Sequence, residues 1–268
     1  MLLDPVRQGE DIDLSDDAAR RPDSLQKGDE LKEKISRQLE KIGKLQSVFF
    51  ADGRHSLLIV LQGRDAGGKD GVVRSVFDAV NPAGVHVTSF KVPTPLELSH
   101  DYLWRIHKAV PEKGMIGIFN RSHYEDVLVV RVHNLVPKEV WSTRYEQINN
   151  FEKMLAENGT VILKFFLHVS REEQKTRLRE RIEDETKNWK FNAGDLDERN
   201  LWDDYTAAYK DALSKCSTDW APWYVVPADS NKARNYLIAR RIAAALESLD
   251  LAYPKPKTDL SEFLKVLE

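Results

Sequence analysis

The stretch GRDAGGKDG, residues 63–71, has the residue types and spacing of a phosphate-binding loop. Gly63, Gly68 and Lys69 fit the pattern G-x-x-x-x-G-K-S/T, in which backbone N–H groups surround phosphate oxygens and the lysine adds a mobile positive charge. Asp70 stands where a hydroxyl residue usually holds magnesium. A glycine turn that happens to contain lysine is the alternative, but the apolar run before the loop and the helical pattern after it favour phosphate binding.

Two carboxylates in such a loop would repel phosphate unless a positive charge lies between them and the ligand. Asp65 is therefore predicted to hold a divalent metal ion or to orient the nucleophile. Asp70, one residue into the helix, has the alternative role of a first-turn acid that interacts favourably with the helix dipole. The loop residues that we expect to contact phosphate are Gly63, Ala66, Gly67, Gly68, Lys69, Asp70 and Gly71.

A second polar cluster follows the apolar run 115–120, at the strand end where open α/β sheets bind their ligands. Asn120 stands where a nucleotide hydrolase would have a metal-binding aspartate. Two acids, Glu125 and Asp126, follow shortly after it.

Three basic side chains in the same cluster suit phosphate chemistry. Arg121 and Arg131 can bind phosphate oxygens through two N–H groups at once, which lysine cannot do. His123 is a candidate general base, although a histidine hydrogen-bonded within the fold is the more common case.

Residues 171–205 are dense in charge and are compatible with two structures. Arg177 and Arg181 are four residues apart, as are Lys175 and Arg179, so each pair shares a helix face. Such a run usually forms a solvated surface with ion pairs. Beside a phosphate-binding loop it favours a mobile basic lid instead, with Arg177 and Arg181 as phosphate ligands.

The elements that must position these residues alternate along the chain. Five short apolar runs are typical of strands buried on both faces of a parallel sheet: residues 57–62, 85–90, 115–120, 161–169 and 223–228. Helical patterns cover residues 69–79, 96–109, 138–157, 171–185, 200–215 and 231–248. The alternation predicts an α/β fold with a doubly wound parallel sheet, because parallel strands need crossover helices that cover both faces.

The two ends of the chain differ from this pattern. Residues 1–23 predict an irregular polar arm, and residues 251–268 predict a tail after a single domain of residues 24–250. A long amphipathic helix begins that domain, and we expect it to pack outside the core. Its apolar face comprises Leu31, Ile35, Leu39, Ile42 and Leu45.

The composition excludes binding of polyanions through the net charge of the whole protein. Forty basic and 43 acidic residues among 268 give a net charge of −3, so a polyanion must bind to a local patch, and we expect no nucleic acid or membrane partner. A single cysteine, Cys216, cannot form an internal disulfide, which suits a reducing cytoplasm. The sequence shows no signal peptide and no membrane-spanning run, so a soluble cytoplasmic protein is predicted.

Five stretches of the chain occur in the order of a known set of motifs. They are GRDAGGKDG (63–71), FKVPT (90–94), FNRSHYEDVLVVRVH (119–133), WKFNAGDLDERNLWDDY (189–205) and APWYVVPADSN (221–231). Together they resemble the family-2 polyphosphate kinases, over about residues 30–250. The resemblance implies a three-layer α/β/α P-loop kinase-like fold with a helical lid, similar to thymidylate kinase. It also implies phosphoryl transfer between inorganic polyphosphate and a nucleotide, with Mg2+ as cofactor.

The resemblance also implies roles for single residues. Asp65 and Lys69 match the metal-associated acid and the phosphate-binding lysine of the loop. Lys91 matches the lysine after the second strand, Arg121 the arginine of the second motif, and the arginines of 177–181 the lid. The predicted catalytic residues are Asp65, Lys69, Arg121 and Glu125; the predicted nucleotide-binding residues are Lys91, Asn120, Arg121, His123 and Asp126; and the predicted metal ligands are Asp65 and Glu125.

The second motif departs from the branch of the family that uses nucleoside diphosphates. That branch reads D-R-S-W-Y-N-R, whereas residues 120–126 read N-R-S-H-Y-E-D and resemble the branch that phosphorylates both nucleoside mono- and diphosphates. The departure argues against the usual metal-binding role at position 120. The carboxylates expected to take that role are Asp65 and Glu125.

The predicted activity is Mg2+-dependent transfer of phosphate from polyphosphate to AMP and ADP, which forms ADP and ATP. Two alternatives remain open: a nucleoside or nucleotide kinase that uses ATP as donor, and a non-catalytic P-loop protein that binds nucleotide or polyphosphate. The resemblance implies a homodimer or homotetramer, for which the helix within residues 24–49 offers an interface.

Overall fold

Short apolar runs form the strands of the sheet in a computed structural model, which describes residues 2–25 and 27–267. The strands are β1 (Ser56–Gln62), β2 (Val85–Ser89), β3 (Ile116–Asn120), β4 (Thr160–His168) and β5 (Trp223–Pro227). The five predicted strands are thus confirmed, with ends that differ by one residue at most.

The helices in the described part of the chain lie between and around these strands. They are α1 (Asp29–Asp52), α2 (Lys69–Val76), α3 (Pro95–Leu98), α4 (Trp104–His107), α5 (Val129–Val132), α6 (Lys138–Trp141), α7 (Arg144–Glu157), α8 (Arg171–Glu183), α9 (Gly194–Asn200), α10 (Trp202–Lys215), α11 (Asn231–Glu247) and α12 (Ser261–Leu267). None of the helices within residues 2–25 and 27–267 has the length and apolar character needed to cross a membrane.

The sheet is parallel throughout, in the order β2-β3-β1-β4-β5. Every residue of the central strand β1 is buried, which explains its nearly continuous apolar sequence. Alternate side chains face opposite layers: Leu57, Ile59 and Leu61 join one core, and Leu58 and Val60 join the other. The predicted α/β/α architecture is confirmed.

The helix α1 is part of the core, which corrects the expectation that it packs outside. Leu31, Ile42 and Phe49 are buried in the core between the sheet and helices α1, α2 and α11. The other members of its predicted apolar face, Ile35 and Leu39 among them, pack against the same core. The apolar face of α1 is therefore largely covered by α11.

Two of the predicted helices, over residues 96–109 and 138–157, are each divided into two shorter ones. In the first, Asp101 Oδ1 accepts a hydrogen bond from Leu103 N at 3.0 Å, a local turn that competes with helical hydrogen bonding. In the second, Thr143 Oγ1 donates to Val140 O at 2.8 Å at the break.

The N-terminal arm is irregular apart from one 3-10 turn, Asp17–Ala19, yet it packs on the sheet layers. Ile12 and Leu14 are buried in the same core as α7 and α10. Val6 N donates to Trp223 O at 2.9 Å, so the arm runs beside the start of β5.

Candidate active site

The loop after β1 and the segment after β3 meet at the carboxyl edge of the sheet because β1 and β3 are neighbours. Leu61 is in register with Asn120, and Arg121 N donates to Leu61 O at 3.1 Å. Arg121 has a φ of 63°, in the left-handed region that few non-glycine residues adopt. Backbone strain of this kind is concentrated at functional sites, because the surrounding structure must maintain it.

The side chain of Lys69 turns back onto the loop that precedes it. Its Nζ donates to Gly63 O at 2.7 Å and to Arg64 O at 3.3 Å. Burial, and then the positive charge of Arg121, lower the pKa of Lys69 to about 8. A phosphate beside this ammonium group would favour its charged form, since an opposite charge opposes the effect of burial.

Two of the loop glycines that are predicted to contact phosphate are also closely packed within the fold. A Cβ at Gly63 would lie 2.8 Å from Leu167 O, and one at Gly67 would lie 2.9 Å from Arg64 O. The N–H of Gly67 donates to Arg64 O at 3.0 Å and is thus used within the loop. The predicted phosphate contacts that do line the cleft are Ala66, Gly68, Lys69, Asp70 and Gly71.

Arg121 lies between the two carboxylates that were predicted as metal ligands. Its Nη2 is 2.7 Å from Asp65 Oδ1, and its Nη1 is 3.5 Å from Glu125 Oε2. Burial acts to lower the pKa of Arg121, but Glu125 and Asp65 outweigh it and the pKa is raised. In this structure Arg121 therefore supplies the positive charge that allows Asp65 and Glu125 to lie beside a phosphate site.

The second loop acid, Asp70, has a neutral partner. Asn120 Nδ2 donates to Asp70 Oδ1 at 2.6 Å, which ties the start of α2 to the end of β3. Both residues line the cleft, as does Lys91. The amide at position 120 therefore orients a carboxylate in this structure.

The residues around Asp65 suit a magnesium ion that is bound together with substrate. Within residues 2–25 and 27–267 there is no group of three or more His, Cys, Asp or Glu side chains suited to hold a metal ion alone. Mg2+ in kinase sites is usually held by one or two carboxylates together with water and substrate phosphates. Asp65, which lines the cleft, and Glu125, which lies behind Arg121 in a small adjoining cavity, fit that requirement.

The cleft itself is large and strongly basic. It has a volume of about 640 Å³, and its charged lining comprises nine basic and four acidic side chains. These are Lys69, Arg74, Lys91, Arg121, Arg177, Arg181, Lys187, Lys190 and Arg234, and Asp65, Asp70, Glu173 and Glu180. The excess of five positive charges contrasts with the net charge of −3 for the whole chain.

The predicted lid, residues 171–205, comprises α8, α9 and the start of α10 and is tied to the phosphate-binding loop. Gln174 Nε2 donates to Asp65 O at 3.0 Å, and Arg177 Nη1 donates to Ala66 O at 3.0 Å. Arg181 pairs with Asp195 at 3.0 Å across this segment. Both arginines line the cleft, so the segment contributes positive charge to it.

Replacing Arg181 with alanine tests whether the lid segment binds the phosphate donor. We expect the KM for polyphosphate to rise about tenfold, the scale of one lost charge-assisted hydrogen bond. The free energy of unfolding should fall by about 2 kcal/mol or less, because the change breaks only one partly buried ion pair, with Asp195. Steady-state kinetics and urea unfolding measure the two effects.

The matched control is Lys175→Ala on the same helix. Lys175 is half-exposed, lies 3.8 Å from Glu172 and does not line the cleft, so its loss should leave the KM unchanged. Unaltered kinetic constants in Arg181→Ala would favour the alternative, in which the segment is a solvated surface that does not bind the donor.

Three of the predicted ligand contacts do not line the cleft in this structure. Arg131 pairs with Asp211 at 2.5 Å and stacks on Trp141, because α5 turns it toward α10 and α6. Asp126 is buried and pairs with Arg144 at 2.7 Å, and burial raises its pKa to about 6. The third is the fully buried His123.

His123 belongs to a buried polar network beneath the active-site turn. Its Nε2 lies 3.1 Å from Glu152 Oε1, which also accepts a hydrogen bond from the Tyr124 hydroxyl at 3.0 Å. Lys164 Nζ is 2.6 Å from Glu152 Oε2, and both side chains are fully buried. This network holds the 3-10 segment His123–Val127, which carries Glu125.

The sequence offered a signal for this network that the motifs did not use. Lys164 interrupts the apolar run VILKFFLHV, and Glu152 lies on the buried face of α7. Charged side chains at core positions are rarely buried without a partner of opposite charge. A lysine at position 164 therefore predicts a buried acid nearby, and Glu152 predicts a buried base.

Two further arginines near the loop were missed by sequence reasoning. Arg234 of α11 is buried against Gly68 and lines the cleft. Arg64 is buried with its guanidinium 4.0 Å from the ring of Trp202 and within 2.5 Å of Thr206 Oγ1. Arg64 fills a variable position of the phosphate-binding loop and Arg234 lies in no functional motif, and the contacts of both depend on helices distant in the chain.

A parallel α/β/α sheet with a glycine loop, a lysine and arginines gathered in a basic cleft at its carboxyl edge defines a P-loop phosphotransferase. Residues 24–254 match the profile of the family described as Polyphosphate kinase 2 (PPK2). The chain belongs to the polyphosphate kinase 2 family.

Named relatives support the same assignment. The chain is 57% identical over 84% of its length to the AMP/ADP-polyphosphate phosphotransferase of Meiothermus ruber, of which it covers 83%. It is 44% identical over 93% of its length to the ADP-polyphosphate phosphotransferase of Rhodopseudomonas palustris, of which it covers 91%. The crystal structure of polyphosphate kinase 2 from Arthrobacter aurescens TC1 superposes with a TM-score of 0.85 at 43% identity, covering 87% of this chain and 84% of that one.

Proposed function

We propose that this protein transfers a phosphoryl group from inorganic polyphosphate to AMP and to ADP, forming ADP and ATP. The observation that carries the proposal is the basic cleft, whose lining has five more positive than negative side chains in a chain of net charge −3. A linear polyanion is attracted to such a local field, whereas the rest of the surface does not attract it. The relative whose name specifies both AMP and ADP is 57% identical to this chain, which supports both acceptors.

The reaction needs positioning and charge stabilisation more than covalent participation by the protein. An oxygen of the acceptor's terminal phosphate bonds to the terminal phosphorus of the polyphosphate chain. The P–O bond to the rest of the chain breaks, and the chain leaves one unit shorter. Lys69 and Arg121 stabilise the negative charge that shifts between these oxygens, because both cations line the cleft beside the loop.

We propose Asp65 and Glu125 as the Mg2+ ligands of the substrate complex. The ion, when bound, neutralises charge on the reacting phosphates. Both carboxylates lie beside Arg121 in this structure, at 2.7 and 3.5 Å. Substrate phosphates compete for the same guanidinium, and an Arg121 that turns toward them leaves carboxylate oxygens available for the ion.

Glu125→Gln is expected to lower kcat/KM for AMP distinctly more than for ADP. AMP is shorter than ADP by one phosphate, so its reacting oxygen must be brought deeper toward the donor. Glu125 lies 3.5 Å from Arg121 and lines the small cavity that adjoins the cleft, and a carboxylate that helps to hold metal there would complete the positioning of the shorter acceptor. Initial rates with each acceptor, at saturating Mg2+ and polyphosphate, measure the difference.

Equal losses for the two acceptors would assign Glu125 to orienting Arg121 rather than to acceptor choice. The matched control is Glu172→Gln in α8, whose side chain is exposed and lies outside the cleft lining. This variant should leave both kcat/KM values unchanged.

Donor choice separates the proposal from its two alternatives. Pure protein is incubated with Mg2+ and AMP, with either polyphosphate or ATP as the sole donor, and the nucleotides are separated by chromatography. Faster formation of ADP from polyphosphate supports the proposal. Turnover with ATP alone would favour a conventional nucleotide kinase, and binding without turnover of either donor would favour a non-catalytic protein.

We also propose a homodimer or homotetramer and a cytoplasmic location. The apolar face of α1 is largely occupied by α11, so an interface between subunits that uses this helix, as predicted from the sequence, would involve its exposed side chains. The single cysteine, Cys216, is buried and burial raises the pKa of its thiol to about 12, which makes it unreactive in any compartment.

A further inference from the structure

A second cavity lies at the amino edge of the sheet, opposite the edge that carries the cleft. Its volume of about 390 Å³ is in the usual range for sites that bind small molecules. Its walls are residues 5–8 of the N-terminal arm, residues 217–220, 222 and 224 around the start of β5, and Arg241 of α11. Among the described residues, this cavity and the cleft have no lining residue in common.

Three polar atoms in the lining of this cavity are buried without a hydrogen-bond partner among residues 2–25 and 27–267. They are Thr218 Oγ1, the Tyr224 hydroxyl and Arg241 Nε. Tyr224 is fully buried, and Thr218 is 6% exposed. A buried polar group without a partner costs about 1–3 kcal/mol, so such groups normally bind protein or water. Three of them around one cavity indicate that it binds either water or a polar ligand.

The charge of the lining favours an anion. The lining contains Arg7 and Arg241 but only one acid, Asp219, and no carboxylate forms an ion pair with either arginine in the described part of the chain. The guanidinium carbon of Arg241 lies 4.7 Å from the centre of the Tyr224 ring. Burial raises the pKa of Tyr224, so its hydroxyl keeps its proton and can donate. Two hydroxyls and a guanidinium N–H are suitable donors for the oxygens of a carboxylate or phosphate group.

The remaining lining is largely apolar. Trp220 is 38% exposed, and its indole ring offers a surface on which a planar group can stack. Further apolar surface comes from Pro5, Val6 and Pro222. Ser217 Oγ donates to Val6 O at 2.5 Å, which holds the arm against the loop before β5. The cavity thus combines hydrogen-bond donors with apolar walls, as sites for small organic ligands do.

We propose that this cavity binds a small organic anion. Its carboxylate or phosphate group accepts hydrogen bonds from Thr218, Tyr224 and Arg241, and a planar apolar part lies against Trp220. Because none of the lining residues lines the cleft, the anion is bound as an effector rather than as a substrate of phosphoryl transfer.

The test measures binding of phenyl phosphate and of benzoate to the full chain by saturation-transfer NMR, with tripolyphosphate present in excess to occupy the cleft. Both probes carry a planar ring, and the tighter of the two identifies the preferred anionic group. Arg241→Met is expected to weaken the binding of both about 10- to 100-fold, and Tyr224→Phe about tenfold, the scale of lost hydrogen bonds to a charged group. Arg240→Met, the neighbouring residue outside the cavity lining, should bind both probes as wild type does.

Measurements without added probe separate a ligand-binding role from a structural one. Tyr224→Phe removes only a hydroxyl without a partner, so it should melt at the same temperature as wild type or higher. Initial rates of phosphoryl transfer in Tyr224→Phe and Arg241→Met should stay within about twofold of wild type, because the cavity is remote from the cleft.

Three results would overturn the proposal. Binding of neither probe would leave a cavity that holds water only. Probe binding that is unchanged in Arg241→Met and Tyr224→Phe, with or without a lower melting temperature, would place the anion elsewhere. Benzyl alcohol, which has the ring without the charge, should bind at least about tenfold more weakly than the anions, and equal binding would refute recognition of an anion.

Discussion

Replacing Lys69 with alanine is expected to slow phosphoryl transfer from polyphosphate more than about a hundredfold, a loss of about 3 kcal/mol in transition-state stabilisation. Lys69 Nζ lies at the end of the glycine loop and donates to Gly63 O at 2.7 Å and to Arg64 O at 3.3 Å, so a phosphate oxygen can accept a hydrogen bond from its third N–H. Its charge acts where negative charge redistributes during transfer. Initial rates at saturating polyphosphate and AMP measure the loss.

The fold should survive this change. Burial already lowers the pKa of Lys69 to about 8, so its charge does not stabilise the folded protein, and unfolding in urea should change by about 1 kcal/mol or less. The control is Lys113→Ala, an exposed lysine before β3 at the opposite edge of the sheet. Activity of Lys69→Ala within a few-fold of wild type would remove this loop from the reaction centre.

The same residue sets an expected pH dependence. The dependence of kcat/KM on pH reports ionisations of the free protein, in which the charged form of Lys69 is lost above pH about 8. We expect kcat/KM for polyphosphate to fall as pH rises through that value. A profile that stays flat to the ordinary lysine pKa of about 10.4 would contradict the assignment.

The largest expected effect on stability comes from Lys164→Met. This change removes the cation that lies 2.6 Å from Glu152 Oε2, in a pair of fully buried side chains. Glu152 is then left as a buried charge without a cation, which costs about 3–5 kcal/mol in the free energy of unfolding. Urea unfolding of wild type and variant measures the loss.

A double-mutant cycle separates the pair from simple loss of packing. The double variant Lys164→Met, Glu152→Met should be destabilised less than Lys164→Met alone, because no unpaired charge remains. The matched surface control is Lys34→Met, which removes an exposed pair with Glu30 on α1 and should cost no more than about 0.5 kcal/mol. A cost below about 1 kcal/mol for Lys164→Met would show that the buried pair does not hold this part of the fold.

The strands and the meeting of the two loops could be predicted because their signals are local. Apolar runs bounded by glycine or polar residues mark β1 and β3, and parallel neighbours bring their carboxyl ends together. The proximity of Asp65, Arg121 and Glu125 follows from that rule. It was enough to know that each of these side chains lies in a loop that directly follows one of two neighbouring strands.

The side chains that were misplaced or missed depend on partners far along the chain. His123 and Arg131 have suitable chemistry and lie near the site in sequence, but Glu152 and Asp211, 29 and 80 residues away, draw them elsewhere. The amphipathic pattern of α1 showed an apolar face without showing that α11 covers it. Arg234 approaches the phosphate-binding loop only because α11 packs on α2.

Phosphorus NMR of a single reaction tests the central claim most directly. Pure protein, Mg2+, AMP and polyphosphate are mixed without ATP, and the spectra are followed in time. The account predicts that the signals of inner polyphosphate units decline as the β-phosphate of ADP and then the γ-phosphate of ATP appear, and that Lys69→Ala abolishes both changes. An unchanged spectrum, from protein that phosphorylates AMP when ATP replaces polyphosphate, would contradict it.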